Sequence, residues 1–170
     1  MVTEWSAEPL FEFQPDANAD RLTQVYFVRD LNWLYMAFLI NDDIADASDS
    51  LRLYFDTTKN GGDPDTADRF FQIGRDGTTD VWAGVGSNSD RRNWNADYDS
   101  DKWTAAIGEP GGDQWVVELK LDAAAELVGL ANPFGLMAQV LYTGDLASWP
   151  ESAISNNPGS WQPVENIVCP

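Results

Sequence analysis

The segment from residue 50 to residue 75 constrains the fold most strongly, because two alternating runs flank one turn-forming loop. Large apolar residues occupy every second position of 51–55, and 71–74 repeats the alternation. Successive side chains of a β-strand point to opposite faces, so this period of two predicts two half-buried strands. Gly61, Gly62 and Pro64 lie between them and favour a reversal of the chain.

Similar short runs recur through the chain, separated by turns rich in Gly, Asp and Asn. They lie at 10–13, 24–29, 33–40, 80–85, 102–107, 114–121 and 134–142. About nine or ten short strands of this kind predict an all-β fold, an antiparallel β-sandwich, with a closed barrel as the structural alternative. We expect one short helix at 122–130, and a single domain over residues 1–170.

The net charge of the chain limits the classes of partner that it can bind. Twenty-eight acidic residues, most of them aspartate, stand against 10 basic ones, and the formal net charge is -18. Nucleic acids and anionic membrane surfaces would be repelled by such a chain. A neutral ligand is therefore the expected partner. We expect a monomer for the isolated domain.

Two further observations concern the cell compartment. The single cysteine, Cys169, allows no internal disulfide and leaves the redox compartment open. No apolar run is long enough to span a bilayer, and no basic and apolar leader follows Met1. The sequence is thus expected to be a mature or excised segment.

The loop between the two central strands is a candidate cation site. Five oxygen-bearing side chains lie within it, namely Asp56, Asn60, Asp63, Asp65 and Asp68. Calcium takes six to eight oxygen ligands in irregular geometry and would relieve the repulsion among the carboxylates. The alternative is a solvated acidic turn. A second acidic loop at 42–49 precedes the first of these strands and is a weaker candidate.

Several enzyme classes are excluded by composition. Histidine is absent, which removes Ser-His-Asp and Cys-His catalysis and histidine zinc sites. Glu118 with a loop aspartate could form a glycosidase pair, but its mid-strand position on the solvent face favours an ordinary surface charge. Met36 or Met137 could ligate haem, although both lie in apolar strands that favour core packing.

Eight tryptophans are many for this length, and some lie in polar loops rather than in strand patterns. Trp94, Trp149 and Trp161 are the loop members. An indole ring in such a loop can stack on a pyranose, while neighbouring polar groups bind its hydroxyls. The alternative is a ring that folds back and anchors its loop.

The order of these motifs resembles the family 9 carbohydrate-binding modules and related β-sandwich domains. The matching segments are 33–42, 49–73, 115–121, 135–140 and 148–161. The resemblance implies a non-catalytic, calcium-supported sandwich that binds one end of a polysaccharide or a small sugar. It also implies an extracellular location, appended to a secreted polysaccharide-degrading or cell-surface protein.

The resemblance also assigns roles to single residues. Asp56 and Asp68 fall where the family holds structural calcium, and Asp42 matches the acidic residue after the preceding strand. Trp161 matches one of two tryptophans that sandwich the sugar, and Gln139 matches a hydrogen-bonding glutamine.

The chain departs from the family pattern at the second stacking ring. The loop 43–49 carries no tryptophan, and Arg52 and Gln72 replace a carboxylate and a basic residue of the cleft. A one-sided or relocated platform is therefore expected, with Trp82 or Trp94 supplying the other face.

The resulting hypothesis is a carbohydrate-binding domain with structural calcium. In it Trp161 stacks on the sugar, and Gln139, Arg52 and Gln72 contact hydroxyls with support from Asn157. The alternatives are an architectural or protein-interaction sandwich that has lost the sugar cleft, and a haem-bearing electron-transfer subunit.

Overall fold

The structure is a computed structural model that describes residues 8–15, 18, 20–86, 93–111 and 113–165. Cys169 lies outside the described residues, as does Gly112 of the predicted turn near 110. The predicted loop 87–101 is described only from Asn93 onward. No helix in the described part of the chain is long and apolar enough to cross a membrane.

Twelve strands and one short 3-10 helix are described. The strands are β1 Phe11–Phe13, β2 Thr23–Arg29, β3 Trp33–Asn41, β4 Ser50–Asp56, β5 Arg69–Gly74, β6 Thr79–Gly84, β7 Trp94–Asn95, β8 Trp103–Gly108, β9 Gln114–Asp122, β10 Phe134–Tyr142, β11 Asp145–Trp149 and β12 Gln162–Val164. The 3-10 helix spans Pro158–Ser160.

All strand pairs are antiparallel and form two sheets. The five-stranded sheet has the order β1-β2-β3-β9-β8. The seven-stranded sheet has the order β11-β10-β4-β5-β6-β7, with β12 also paired to β10. The predicted antiparallel sandwich is therefore confirmed, and the closed barrel is not observed.

The core lies between the two sheets and follows the predicted alternation. Leu51, Leu53 and Phe55 of β4 are wholly buried, whereas Arg52 between them is partly exposed. At about 25 cal/mol per Å² of apolar area removed from water, these inward faces supply most of the favourable folding energy. Met36 and Met137 are also fully buried, as the core-packing interpretation predicted.

The predicted helix at 122–130 is wrong. The Asp122 carboxylate accepts bonds from the N–H groups of Ala124 and Ala125 at 2.9 and 2.8 Å, as a helix cap would. Only turns follow, because Glu126 points into the protein and Gly129 adopts a φ of +75°. Alanine and leucine propensity is overridden here by a buried contact.

The segment after residue 143 was predicted to be a loop and instead contains β11 and β12. Trp149 lies in β11, and its ring stacks on Phe11 with centroids 3.6 Å apart. This tryptophan therefore links the edge strands of the two sheets.

Candidate functional site

A row of polar side chains crosses the outer face of the seven-stranded sheet. Its members come from adjacent strands in register and are Ser148, Gln139, Arg52, Gln72 and Asp80. We call this set the polar row. Arg52 Nε donates to Gln72 Oε1 at 2.9 Å, and Gln139 Nε2 donates to Ser148 Oγ at 3.1 Å. The predicted contacts Gln139, Arg52 and Gln72 are thus brought together.

A stack of aromatic rings runs parallel to the polar row, two residues further along each strand. Tyr54, Phe70 and Trp82 form this aromatic ladder, with both neighbouring centroid distances 4.4 Å and interplanar angles of 4° and 15°. The rings face one another rather than the solvent. Phe70 covers the face of Trp82 that is turned toward β5, so the opposite face is turned toward the sheet edge.

The Tyr54 hydroxyl connects the aromatic ladder to the polar row by a hydrogen bond. Burial raises the pKa of Tyr54 to about 12, so this phenol stays protonated at neutral pH. Its hydroxyl donates to Gln139 Oε1 at 3.4 Å. This bond fixes the orientation of the Gln139 amide beside the ladder.

Trp161 lies next to the ladder but is only 2% exposed. Its Nε1 donates to the Ile154 carbonyl at 2.9 Å, and its ring centroid lies 5.8 Å from that of Tyr54. Trp94 is half-exposed and lies nearly parallel to Trp161, with centroids 6.4 Å apart. The ring of Trp161 therefore anchors the loop 150–160 and has no open face for a sugar in this structure.

Asn157 lies in the same loop, directly before the 3-10 helix. Its residue is exposed, and its carbonyl accepts bonds from the Ser160 N–H at 2.9 Å and the Ser160 Oγ at 2.7 Å. The side chain is consequently open to solvent beside the buried Trp161.

The acidic loop contains two carboxylates with no measurable exposure, Asp56 and Asp68. Backbone N–H groups of Asn60 and Gly61 donate to Asp56, each at 3.1 Å. Burial raises the pKa of Asp68 to about 7, and the nearby Asp65 and Asp56 add to the effect. No lysine or arginine among the described residues forms an ion pair with either buried carboxylate.

The donor chemistry of this loop fits a hard cation. The two buried carboxylates, Asp65 and the Asn60 amide oxygen supply the ligand type that calcium prefers. In the described part of the chain no three acidic, histidine or cysteine side chains already form a metal-binding group. Asn60 Nδ2 is instead directed at Asp65, and Asp63 is exposed. Binding would require the Asn60 amide to rotate its oxygen inward.

Asp42 is not part of this loop cluster. Arg75 Nη1 lies 2.9 Å from Asp42 Oδ2 and 3.4 Å from Asp49 Oδ2, and Arg21 Nε lies 3.7 Å from Asp42 Oδ1. Asp49 and Asp56 flank opposite ends of β4, so about 20 Å separates the two acidic sites at the rise of a strand. The inclusion of Asp42 in one cation site is therefore corrected, because two guanidinium groups neutralise it.

A buried ion pair that the sequence did not reveal lies under the loop 96–100. Arg69 Nε donates to Glu126 Oε1 at 2.8 Å, and Glu126 has no measurable exposure. Tyr98 OH donates to the same oxygen at 3.1 Å, and Ser100 Oγ donates to Glu126 Oε2. A lone glutamate in an alanine-rich run gives no sequence signal for such a role.

A cleft of about 640 Å³ opens above this pair, between the edges of β6 and β8. Its lining includes Asp80 and Trp82 from β6, the loop 96–100, and Trp103 from β8. Trp103 packs its edge on the core residue Phe71, with centroids 4.9 Å apart. The cleft thus adjoins the end of both the polar row and the aromatic ladder.

Comparison with known proteins identifies the fold. No family model and no curated protein matches the sequence. Among solved structures, the chain is similar to a family 9 carbohydrate-binding module from Caldicellulosiruptor kristjanssonii in complex with glucose. The TM-score is 0.64 at 11% sequence identity, covering 90% of this chain and 82% of that one.

A second structure from the same organism supports the same assignment. This family 9 carbohydrate-binding module, in complex with cellotriose, gives a TM-score of 0.66 at 15% identity. The match covers 95% of this chain and 85% of that one. The chain therefore has the family 9 carbohydrate-binding-module-like β-sandwich fold, as its sequence predicted.

Proposed function

We propose that this chain is a non-catalytic carbohydrate-binding domain whose site is the outer face of the seven-stranded sheet. The observation that carries the proposal is the polar row beside the aromatic ladder, on the sandwich shared with modules in complex with glucose and cellotriose. Sugars are bound by this combination, since rings pack against C–H groups while amides and charges bind hydroxyls.

The polar row supplies the hydrogen bonds in this proposal. Gln139, Arg52 and Gln72 are partly exposed. The bond from Arg52 to Gln72 and the bond from Gln139 to Ser148 hold the amide and guanidinium groups in fixed directions. Preorganised groups lose less rotamer entropy when a ligand binds. Two partly exposed rings supply the apolar contact, namely Trp82 of the ladder and Trp94, which packs against Phe70 of the ladder.

Trp161 takes a supporting role in place of the stacking role expected from the resemblance. Its buried ring packs against Tyr54 and holds the loop that carries Asn157. The one-sided platform expected from the missing loop tryptophan then consists of Trp82 with Trp94.

Structural calcium is the second part of the proposal. Support comes from Asp56 and Asp68, two buried acidic side chains that form no ion pair with a lysine or arginine in the described part of the chain. Placing two like charges in a buried site is unfavourable unless a cation neutralises them. The ion would keep Asp68 deprotonated and fix the loop behind β4 and β5, with no part in a reaction.

The proposal extends to the setting of the domain. A non-catalytic binding domain of this kind would be part of an extracellular, polysaccharide-degrading or cell-surface protein. The haem alternative is disfavoured because Met36 and Met137 are buried among core side chains.

Calorimetric titration with neutral gluco-oligosaccharides tests the sugar site. We expect binding by the unmodified chain and at least a tenfold loss in Gln139→Ala, whose side chain is half-exposed. Gln24→Ala, a glutamine on the five-stranded sheet, is the matched control and should bind normally. Failure of the unmodified chain to bind any glycan would favour the protein-interaction alternative.

A further inference from the structure

The cleft at the β6 and β8 edges continues the proposed sugar site around the side of the sandwich. Asp80 ends the polar row and Trp82 ends the aromatic ladder, and both residues also line the cleft. A ligand lying along the row would therefore reach the cleft without leaving polar and aromatic contact. Its volume of about 640 Å³ is in the range of roughly 300–1,000 Å³ for small-molecule sites.

The near wall of the cleft offers an indole face. Phe70 stacks on one side of Trp82 at 4.4 Å, so the other side is turned outward toward the cleft. Phe70 is the inner ring and is stacked on both faces, and Tyr54 at the other end is only 3% exposed, so neither ring can stack on a ligand. Trp82 is thus the ladder member that presents a ring face.

The far wall of the cleft is held by buried contacts. Tyr98 and Ser100 line the cleft, and both donate hydrogen bonds to the buried carboxylate of Glu126. The guanidinium of Arg69 lies 4.6 Å from the Tyr98 ring centroid, over its face. These contacts fix the loop 96–100, so the cleft exists before a ligand binds.

The charge of the cleft determines which sugar it favours. Asp80, Asp97 and Asp99 line it, and none of the described lining residues is basic. A cation placed against an indole face and beside carboxylates is stabilised by both. A neutral sugar would gain only stacking and hydroxyl contacts there.

We propose that this cleft binds a sugar unit carrying a protonated amine, so that the domain prefers amine-bearing glycans to neutral ones. The inference rests on the proposed function, because the same glycan would lie along the polar row. Trp82 stacks on the amino-sugar ring, and Asp97 and Asp99 receive its ammonium group.

The test is a calorimetric titration at low salt with three matched oligosaccharides: a β-1,4 glucosamine oligomer, its N-acetylated form and a neutral glucose oligomer. The amine form should bind about tenfold more tightly than either of the others. The double variant Asp97→Asn/Asp99→Asn should remove this preference, so that the amine form binds no more tightly than the neutral oligomer.

The matched control is Asp20→Asn/Asp113→Asn, which removes two exposed charges at the opposite end of the five-stranded sheet. It should keep the preference. If both double variants lost the preference for the amine form equally, the cleft assignment would be overturned, because the preference would then depend only on the net charge of the chain.

The remaining outcomes separate the two proposals. Equal binding of all three oligomers would overturn the amine preference and leave the proposed sugar site standing. Binding of no glycan, together with capture of a lysine-rich peptide that depends on Asp97 and Asp99, would overturn both and identify a protein partner.

Discussion

The buried Arg69–Glu126 pair supports a quantitative prediction about stability. Glu126 accepts bonds from Arg69, Tyr98 and Ser100, so Glu126→Ala leaves a buried guanidinium and two hydroxyls without that acceptor. Removing one member of a buried ion pair costs about 3–5 kcal/mol. Arg69 keeps two bonds to the carbonyls of Thr66 and Asp68, each at 2.9 Å, which favours the lower end of this range.

The matched control is an ion pair with the same distance and different burial. Arg75 Nε lies 2.8 Å from Glu109 Oε1, but the Glu109 side chain is 60% exposed. Such exposed pairs contribute about 0–1 kcal/mol, so Glu109→Ala should change stability little. Comparing the two variants isolates the effect of burial.

Urea unfolding followed by tryptophan fluorescence measures both variants. At about 2–4 °C per kcal/mol for a domain of this size, Glu126→Ala should also lower Tm by roughly 6–20 °C. Glu126→Gln keeps an acceptor oxygen and should lie between this variant and the unmodified chain. A loss below about 1 kcal/mol for Glu126→Ala, equal to that of Glu109→Ala, would refute the reasoning.

Three further predictions concern the loops around the site. EDTA should lower Tm, and calcium at a hundredfold excess over Kd should restore about 2.7 kcal/mol of folding free energy. Asp68→Asn should remove this response, and an identical melting curve with and without EDTA would contradict the calcium proposal. Trp161→Ala should destabilise the fold by about 3–5 kcal/mol in urea unfolding because the ring is buried, whereas unchanged stability would mean that it is not an anchor. Gly84→Ala should destabilise the fold by about 1–3 kcal/mol, because its Cβ would lie 2.1 Å from the Asp65 carbonyl oxygen. Gly108→Ala is the control, since its Cβ meets no atom within 4 Å, and similar urea midpoints for the two variants would contradict this packing.

The sequence predicted the long strands well because each has a buried face that imposes a period of two. The apolar residues of β4, β9 and β10 repeat at this spacing, and their strands were found. β7, a strand of two residues within a polar run, was missed. β11 and β12 were missed because they are short and their exposed residues follow no alternation. Their position depends on pairing with β10, which no local pattern reports.

The site was only partly predictable, because part of it depends on contacts between distant segments that no local pattern reports. Gln139, Arg52 and Gln72 could be grouped because strand register places them in one row. The burial of Trp161 and the inward turn of Glu126 depend on contacts with segments distant in sequence. A tryptophan in a polar loop can either stack on a sugar or anchor its loop, and the local sequence pattern does not distinguish these roles. Only the contacts in the folded structure distinguish them.

The most direct test of the central claim is an amide chemical-shift titration of the isotope-labelled chain with a gluco-oligosaccharide. Binding at the proposed site predicts shift changes that cluster on β10, β4, β5 and β6, with the largest near Arg52, Gln72 and Trp82. Shift changes confined to the exposed side of the five-stranded sheet, or none with any glycan, would contradict the claim.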